Sequence, residues 1–137
     1  MDKPLQPIQV RLALAWLTLA ALLLMIFVSM LVKAGIQTDF SEFAHHPGPE
    51  GWGALCIQFV AYLAMAALTV NSDAGWVRWL NAALLAVATL FMLGHQVGHV
   101  REGMVYGLTG IIDGAHHVLG AVASLQALRW ARSRSGS

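Results

Sequence analysis

The stretch LALAWLTLAALLLMIFVSMLV, residues 12–32, contains no charged side chain over 21 residues. As an α-helix it would be about 31 Å long at about 1.5 Å per residue, enough to cross a bilayer core of about 30 Å. Lys3 and Arg11 precede the stretch, so a cleavable signal peptide is the alternative. The apolar core of such a peptide is typically only about 7 to 15 residues, and no A-x-A-like cleavage site follows closely. The stretch therefore predicts a transmembrane helix that is retained.

The composition of the whole chain agrees with a membrane protein. Its 137 residues are 58% hydrophobic and 11% charged, with a mean hydropathy of +0.65, whereas a soluble domain carries about 25% charged residues. The single cysteine, Cys56, excludes an intrachain disulfide and a thiolate-rich metal site. Three further charge-poor runs predict an all-α integral membrane protein, with four transmembrane helices in one compact bundle and one domain. The spans are expected at about residues 12–32, 54–70, 79–98 and 110–129.

The lysines and arginines predict the orientation of this bundle. The loop at 33–53 and the connection after the third span carry only Lys33 and Arg101, each at a helix edge. Because positive residues stay on the cytoplasmic side, both termini are expected inside and these two loops outside. We expect the inner (plasma) membrane of a bacterium. The positive residues of the inner side are Lys3, Arg11, Arg78, Arg129, Arg132 and Arg134. Aromatic belts at the membrane surface are predicted at Trp76, Trp79 and Trp130.

Four histidines collect towards the predicted outer side of the membrane. His95 lies 17 residues after Arg78, about 25 Å from the inner surface along a regular helix, and His116 lies at a similar depth. His95 and His99 are four residues apart and share one helix face. His116 and His117 are adjacent, about 100° apart on a helix, so one of them is expected to point at the same centre. Polar groups at the edge of hydrocarbon are costly, which makes each of them a candidate for function.

Two carboxylates lie close to these histidines in the sequence. Asp113 is three residues before His116, and Glu102 is three residues after His99. A carboxylate that holds one ring N–H leaves the other nitrogen free to bind a metal. The outer loop adds two histidines, for which a role as interfacial polar residues is the alternative. The predicted ligand set is His95, His99, His116, His117, Asp113, Glu102, His45 and His46.

Imidazole and carboxylate ligands suit a transition metal ion (Cu, Fe or Zn) better than Mg or Ca. Haem b, held by His95 and His116 from two facing helices, is the competing cofactor. The pattern H-x-x-x-H followed by H-H is similar to the histidine boxes of membrane di-iron desaturases and hydroxylases, although the further H-x-x-H-H boxes of that family are missing here. Three G-x-x-x-G pairs predict close packing of spans three and four, or room for a flat ligand. These pairs are Gly94 with Gly98, Gly103 with Gly107, and Gly110 with Gly114.

Three functions follow from these patterns. The first is metal binding at the outer face of the membrane, in metal handling or redox chemistry, and the second is electron transfer by a b-type haem subunit. The third is a non-catalytic accessory subunit, packed against other membrane subunits or in a homo-oligomer, because the loops are too short to fold separately. Nucleic acid is not an expected partner at a net charge of +1. Ion conduction is disfavoured because the first two spans carry no charged residue.

Overall fold

The computed structural model describes residues 5–37, 48–101 and 108–133, without the side chains of residues 30, 33, 34, 37, 48–52, 95, 96, 98–101, 108–110 and 113. In this part of the chain the fold is all-helical. The four helices are α1 (Pro7–Gln37), α2 (Gly48–Asn71), α3 (Gly75–Arg101) and α4 (Leu108–Arg132). The second and third helices are joined by a short turn, since α2 ends at Asn71 and α3 begins at Gly75.

The helices extend beyond the apolar runs that predicted them. α1 begins at Pro7, where the missing N–H of a proline at the first helical position costs no hydrogen bond. Gln9 Oε1 then accepts a hydrogen bond from the Gln6 N–H at 3.0 Å, as in a capping box. α2 begins at Gly48, so the prediction of a loop through residue 53 is wrong. Pro49 falls in the first turn of α2, where a proline is tolerated.

The helices pack around one core. α1 packs against α2 and α4, α3 packs against α4, and the consecutive helices α2 and α3 touch only over a short segment. Buried residues mostly recur three or four positions apart along the described helices, which gives each helix an inward-facing stripe. The core side chains include Leu12, Trp16, Leu19, Tyr62, Met65, Val77, Leu85, Ala123, Ala127 and Trp130.

The outer surface of the described helices is apolar. Large hydrophobic side chains such as Ile57, Leu90 and Ile111 are exposed by 73%, 68% and 72%, which is the reverse of the usual arrangement in a soluble protein. Within residues 5–37, 48–101 and 108–133, three helical segments are long and apolar enough to cross a membrane: Pro7–Ser29, Gly53–Asn71 and Gly75–Gly94. These features indicate a membrane protein whose exposed helix faces contact the lipid bilayer.

Polar side chains are buried at the end of the bundle where the α2–α3 turn lies, which we call the turn end. Asn81 is fully buried, and its Oδ1 accepts hydrogen bonds from Trp16 Nε1 at 2.7 Å and from Thr69 Oγ1 at 2.9 Å. Its Nδ2 donates to the Val77 carbonyl at 2.9 Å. Gln9 Nε2 donates to the Thr69 carbonyl at 3.0 Å. These bonds tie α1, α2 and α3 together where hydrocarbon offers no competing partner.

The buried arginine of the turn end corrects one sequence-based prediction. Arg78 Nη2 forms an ion pair with Asp73 Oδ1 at 2.9 Å. The guanidinium also lies over the Trp130 ring, 5.5 Å from its centroid, in a cation–π arrangement. Trp130 is therefore only 3% exposed, and its prediction as a membrane-surface belt residue is wrong. Trp76 and Trp79 are exposed, as a belt requires.

Candidate functional site

His116 is the buried histidine of the described structure. It lies on the inward stripe of α4, one turn after Ile112 and one turn before Gly120, and its side chain is only 3% exposed. The imidazole lies against the Tyr62 ring of α2, with a centroid distance of 6.1 Å and an interplanar angle of 30°. α4 therefore points His116 into the centre of the bundle.

The Nε2 atom of His116 is buried and has no hydrogen-bond partner among the residues that the structure describes. An unsatisfied polar atom in apolar surroundings costs roughly 1 to 3 kcal/mol. A protein tolerates this cost where the group serves a ligand, and a neutral imidazole nitrogen is a common ligand of transition metals. His116 Nε2 is the atom around which a binding site is best argued.

His117 differs from His116 in position and exposure. It is half-buried, and its ring meets the His116 ring edge-on, with centroids 6.4 Å apart. Suppose that one metal ion binds a nitrogen of each ring at about 2 Å, with a tetrahedral angle between the two metal–nitrogen bonds. The two ring centroids would then lie only about 5 Å apart. In this arrangement the two histidines could supply at most one ligand to a shared tetrahedral ion, and burial favours His116 for that role.

Contacts between α3 and α4 define the register of these two helices. At the turn end, Arg78 of α3 lies over Trp130 of α4. Further along, Thr89 Oγ1 lies 3.4 Å from Ser124 Oγ, and the same Oγ1 is 2.8 Å from where a Cβ on Gly120 would be. Advancing along α3 therefore means moving back along α4, so the two helices are antiparallel.

This register brings histidine positions of α3 and α4 to the same level. His95 lies six residues beyond Thr89, about 9 Å of helical rise. The same rise back along α4 from residues 120–124 reaches 114–118, a segment that contains His116. His99 lies one further turn along α3. The backbone register thus agrees with the similar depths expected from the sequence.

The structure describes only part of the predicted ligand set. His95, His99 and Asp113 lie in α3 and α4, but their side chains are outside the described part of the chain. His45, His46 and Glu102 lie wholly outside it. Among the side chains that are described, no three from His, Cys, Asp and Glu come together as a metal site would require. Of the predicted ligands, His116 and His117 alone have described side chains.

Two glycines of the G-x-x-x-G pairs, Gly94 of α3 and Gly114 of α4, do not pack as predicted, and the other four lie outside the described side chains. Gly94 and Gly114 are exposed, and a Cβ added to either would meet no atom within 4 Å. The close approach of the two helices lies at Gly120 instead, where a Cβ would come 2.8 Å from Thr89 Oγ1. The packing interpretation is therefore wrong for Gly94 and Gly114. A flat ligand does not fit between α3 and α4 at Gly120, one turn from His116.

Sequence reasoning missed the aromatic residues beside His116. Tyr62 is 3% exposed and packs between His116 and Trp16. The ring centroids of Tyr62 and Trp16 are 5.3 Å apart. Gln58 Nε2 donates a hydrogen bond to the Tyr62 hydroxyl oxygen at 2.6 Å. One feature of the sequence could have indicated polar contacts in the core. Gln58 and Asn81 are uncharged polar residues inside predicted apolar spans, where a polar side chain needs a partner.

Comparison of this chain with protein-family models, with characterised proteins and with solved structures finds no match.

Proposed function

We propose that this membrane protein binds a transition metal ion, Cu, Fe or Zn, in the half of the bundle opposite the turn end. His116 supplies one ligand, and His95 and His99 of α3 supply two more. Asp113 orients an imidazole of α4 through its ring N–H, as carboxylates commonly do for metal-binding histidines. Glu102, His45 and His46 complete or cap the site, and His117 lies at its edge.

The observation that supports this proposal best is the buried Nε2 of His116, which has no hydrogen-bond partner among the described residues. The α3–α4 register adds to it, because position 95 comes level with His116. Helical periodicity adds a third argument. Buried residues of α3 recur at Arg78, Leu85 and Met92, and the same seven-residue period continues to His99. An ion is favoured over haem because α3 and α4 approach closely one turn away, at Gly120.

The proposed topology has four spans, with both termini in the cytoplasm and the metal site near the outer face. The exposed residues of α4 support the fourth span. Ile111 to Leu125 is about 21 Å of helix, and the exposed residues among its described side chains, which leave out Asp113, are all apolar or glycine. Arg129 and Arg132 follow in the last turn. Together with Arg78 they support a cytoplasmic position of the turn end by the positive-inside rule. An inner-membrane location is part of the same proposal.

Elemental analysis and a visible absorption spectrum of the detergent-purified protein test the function. We expect close to one Cu, Fe or Zn ion per chain and no Soret band. His95→Ala and His99→Ala should each lose most of this metal, while Gln96→Ala, between them on α3, should retain it. A Soret band would identify haem b instead. Metal-free protein that binds none of the three ions when they are added would favour the accessory-subunit function.

Cysteine labelling tests the orientation. Cys56 is exposed, so the background variant is Cys56→Ser. In this background, Ser41→Cys, between α1 and α2 in the sequence, should react with a membrane-impermeant maleimide added outside intact cells. Asn71→Cys, beside the α2–α3 turn, should react only after the cells are opened. The reverse pattern would place the termini outside and the proposed metal site on the cytoplasmic side.

A further inference from the structure

A groove runs along the boundary between α1 and α4 and has a volume of about 280 Å³. It begins at Arg11 and Gln126 and reaches Thr18 on α1 and Leu119 on α4. The helical rise between these residues makes it about 10 Å long, which is about two thirds of the hydrocarbon depth of one leaflet. Because α1 begins and α4 ends at the turn end, Arg11 and Gln126 mark the end of the groove nearest the membrane surface.

The groove is apolar away from Arg11 and Gln126. The small side chains of Ala15 and Ala123 are buried at its floor, and Leu14 and Val122 are exposed at its rims by 57% and 46%. The Thr18 hydroxyl donates a hydrogen bond to the Leu14 carbonyl at 2.8 Å, so it is satisfied within α1. Because the rims belong to the lipid-facing surface, the groove opens sideways into hydrocarbon and suits an alkyl chain.

The end of the groove at the membrane surface is positively charged. Arg129 is exposed and lies three residues after Gln126, about 60° round the helix, and its side chain leans back towards Gln126 because helical side chains point towards the N-terminus of their own helix. Within the described part of the chain, Arg11, Gln126 and Arg129 form no hydrogen bond or ion pair through their side chains. The Asp73 carboxylate of the turn end is already paired with Arg78. Two guanidinium groups and an amide are therefore available to an anion at this end.

We propose that the α1–α4 groove binds an anionic phospholipid from the leaflet on the side of the turn end. The lipid phosphate pairs with Arg11 and Arg129, whose planar guanidinium groups match phosphate oxygens. The Gln126 amide donates to a phosphate or ester oxygen, and one acyl chain follows the groove towards Thr18. Basic pockets between transmembrane helices at the cytoplasmic surface bind such head groups.

Charge decides between this occupant and a second copy of the chain. Two copies packed groove to groove would bring the same arginines together, and like charges across an interface oppose binding. The lipid inference does not depend on the metal site, because the residues that line the groove include none of the proposed metal ligands.

Native mass spectrometry of the full chain in a mild detergent tests the head-group contacts. Dioleoyl phosphatidylglycerol should bind one molecule per chain, with a Kd about tenfold lower than that of dioleoyl phosphatidylcholine, which has the same chains but no net charge. Arg11→Gln and Arg129→Gln should each raise the Kd of the anionic lipid about fivefold. Arg132→Gln is the matched control, because it removes the same charge from the last turn of α4 about 120° round the helix from Gln126. It should keep the Kd of the parent.

A second pair of variants tests the path of the acyl chain. Thr18→Trp places a large ring in the groove and should raise the Kd about tenfold. Leu17→Trp adds a ring of the same size to the exposed surface of α1 outside the groove, and it should bind as the parent does. Circular dichroism of each variant shows whether its helices are retained.

Four results would overturn the proposal. Equal affinity for the two lipids, or an unchanged Kd in either Arg11→Gln or Arg129→Gln, would remove the phosphate site. An equal loss in Arg132→Gln would mean that the basic surface attracts anionic lipid without a defined site. An unchanged Kd in Thr18→Trp would place the acyl chain outside the groove.

Discussion

His116→Leu is expected to lower the metal affinity of this protein more than about 100-fold while leaving the metal-free protein at least as stable as the parent. Loss of a contact that only orients a metal ligand typically costs about 10- to 100-fold in affinity, and loss of the ligand itself should cost more. Leucine is close to histidine in size and has no polar atom. The substitution therefore removes from the core a nitrogen that has no partner in the described part of the chain, and it does so without opening a large cavity.

Two measurements check this prediction. Metal affinity is measured by competition with a chelator of known affinity, and stability by reversible unfolding in mixed micelles of dodecyl sulfate and a mild detergent. Ser124→Ala is the matched control, because Ser124 lies two turns further along α4 and bonds to the Gly120 carbonyl at 2.7 Å. We expect its metal affinity to equal that of the parent.

The combination of results distinguishes a ligand from a packing residue. A ligand role requires a large loss of metal affinity together with retained stability of the metal-free protein. If His116→Leu kept the affinity of the parent, His116 would be excluded from the site, and the half-buried His117 would become the ligand to test on α4. If the metal-free variant unfolded far more readily, the imidazole would have an internal role that the unpartnered Nε2 does not indicate.

The sequence predicted much of the helical fold because apolar length is a property of composition. It could not predict where α2 begins, because the glycines and Pro49 of that segment are compatible with both a loop and a first helical turn. Hydropathy also could not place Trp130, because its burial depends on the guanidinium of Arg78, 52 residues earlier in the chain. Interactions between distant residues of this kind leave no periodic signal in the sequence.

The candidate site was predictable as a collection of residue types but not as an arrangement. His116 and His117 are equivalent by spacing, and only the packing of α4 shows that one is buried against Tyr62 while the other is half-buried. The G-x-x-x-G spacing could not identify the packed glycine, because the rotation of each helix about its axis decides which glycine faces a neighbour. In this structure it is Gly120, and Gly94 and Gly114 face outwards.

The second large effect is expected at Asn81, which holds three helices together at the turn end. In Asn81→Leu the side chain keeps its branch point but loses the oxygen that accepts from Trp16 and Thr69. Thr69 keeps a partner, since its hydroxyl also lies 2.6 Å from the Met65 carbonyl. Trp16 Nε1 is left without a known acceptor in a side chain that is only 1% exposed. A buried unsatisfied donor costs about 1 to 3 kcal/mol, and the bond to Thr69 adds up to about 1 kcal/mol.

We therefore expect Asn81→Leu to lower the free energy of unfolding by about 2 to 3 kcal/mol in mixed micelles. Thr69→Val leaves the Trp16–Asn81 hydrogen bond intact, so it should lower the free energy of unfolding by less than half of that amount. The double variant Trp16→Phe with Asn81→Leu isolates the cause, because phenylalanine has no donor to leave unsatisfied. If the Trp16 N–H is responsible, the double variant should lose clearly less free energy of unfolding than the sum of the losses measured in Trp16→Phe and Asn81→Leu separately. Full additivity would mean that the cost comes from the lost contacts of each side chain separately, and that the hydrogen bond between α1 and α3 contributes little to holding the turn end.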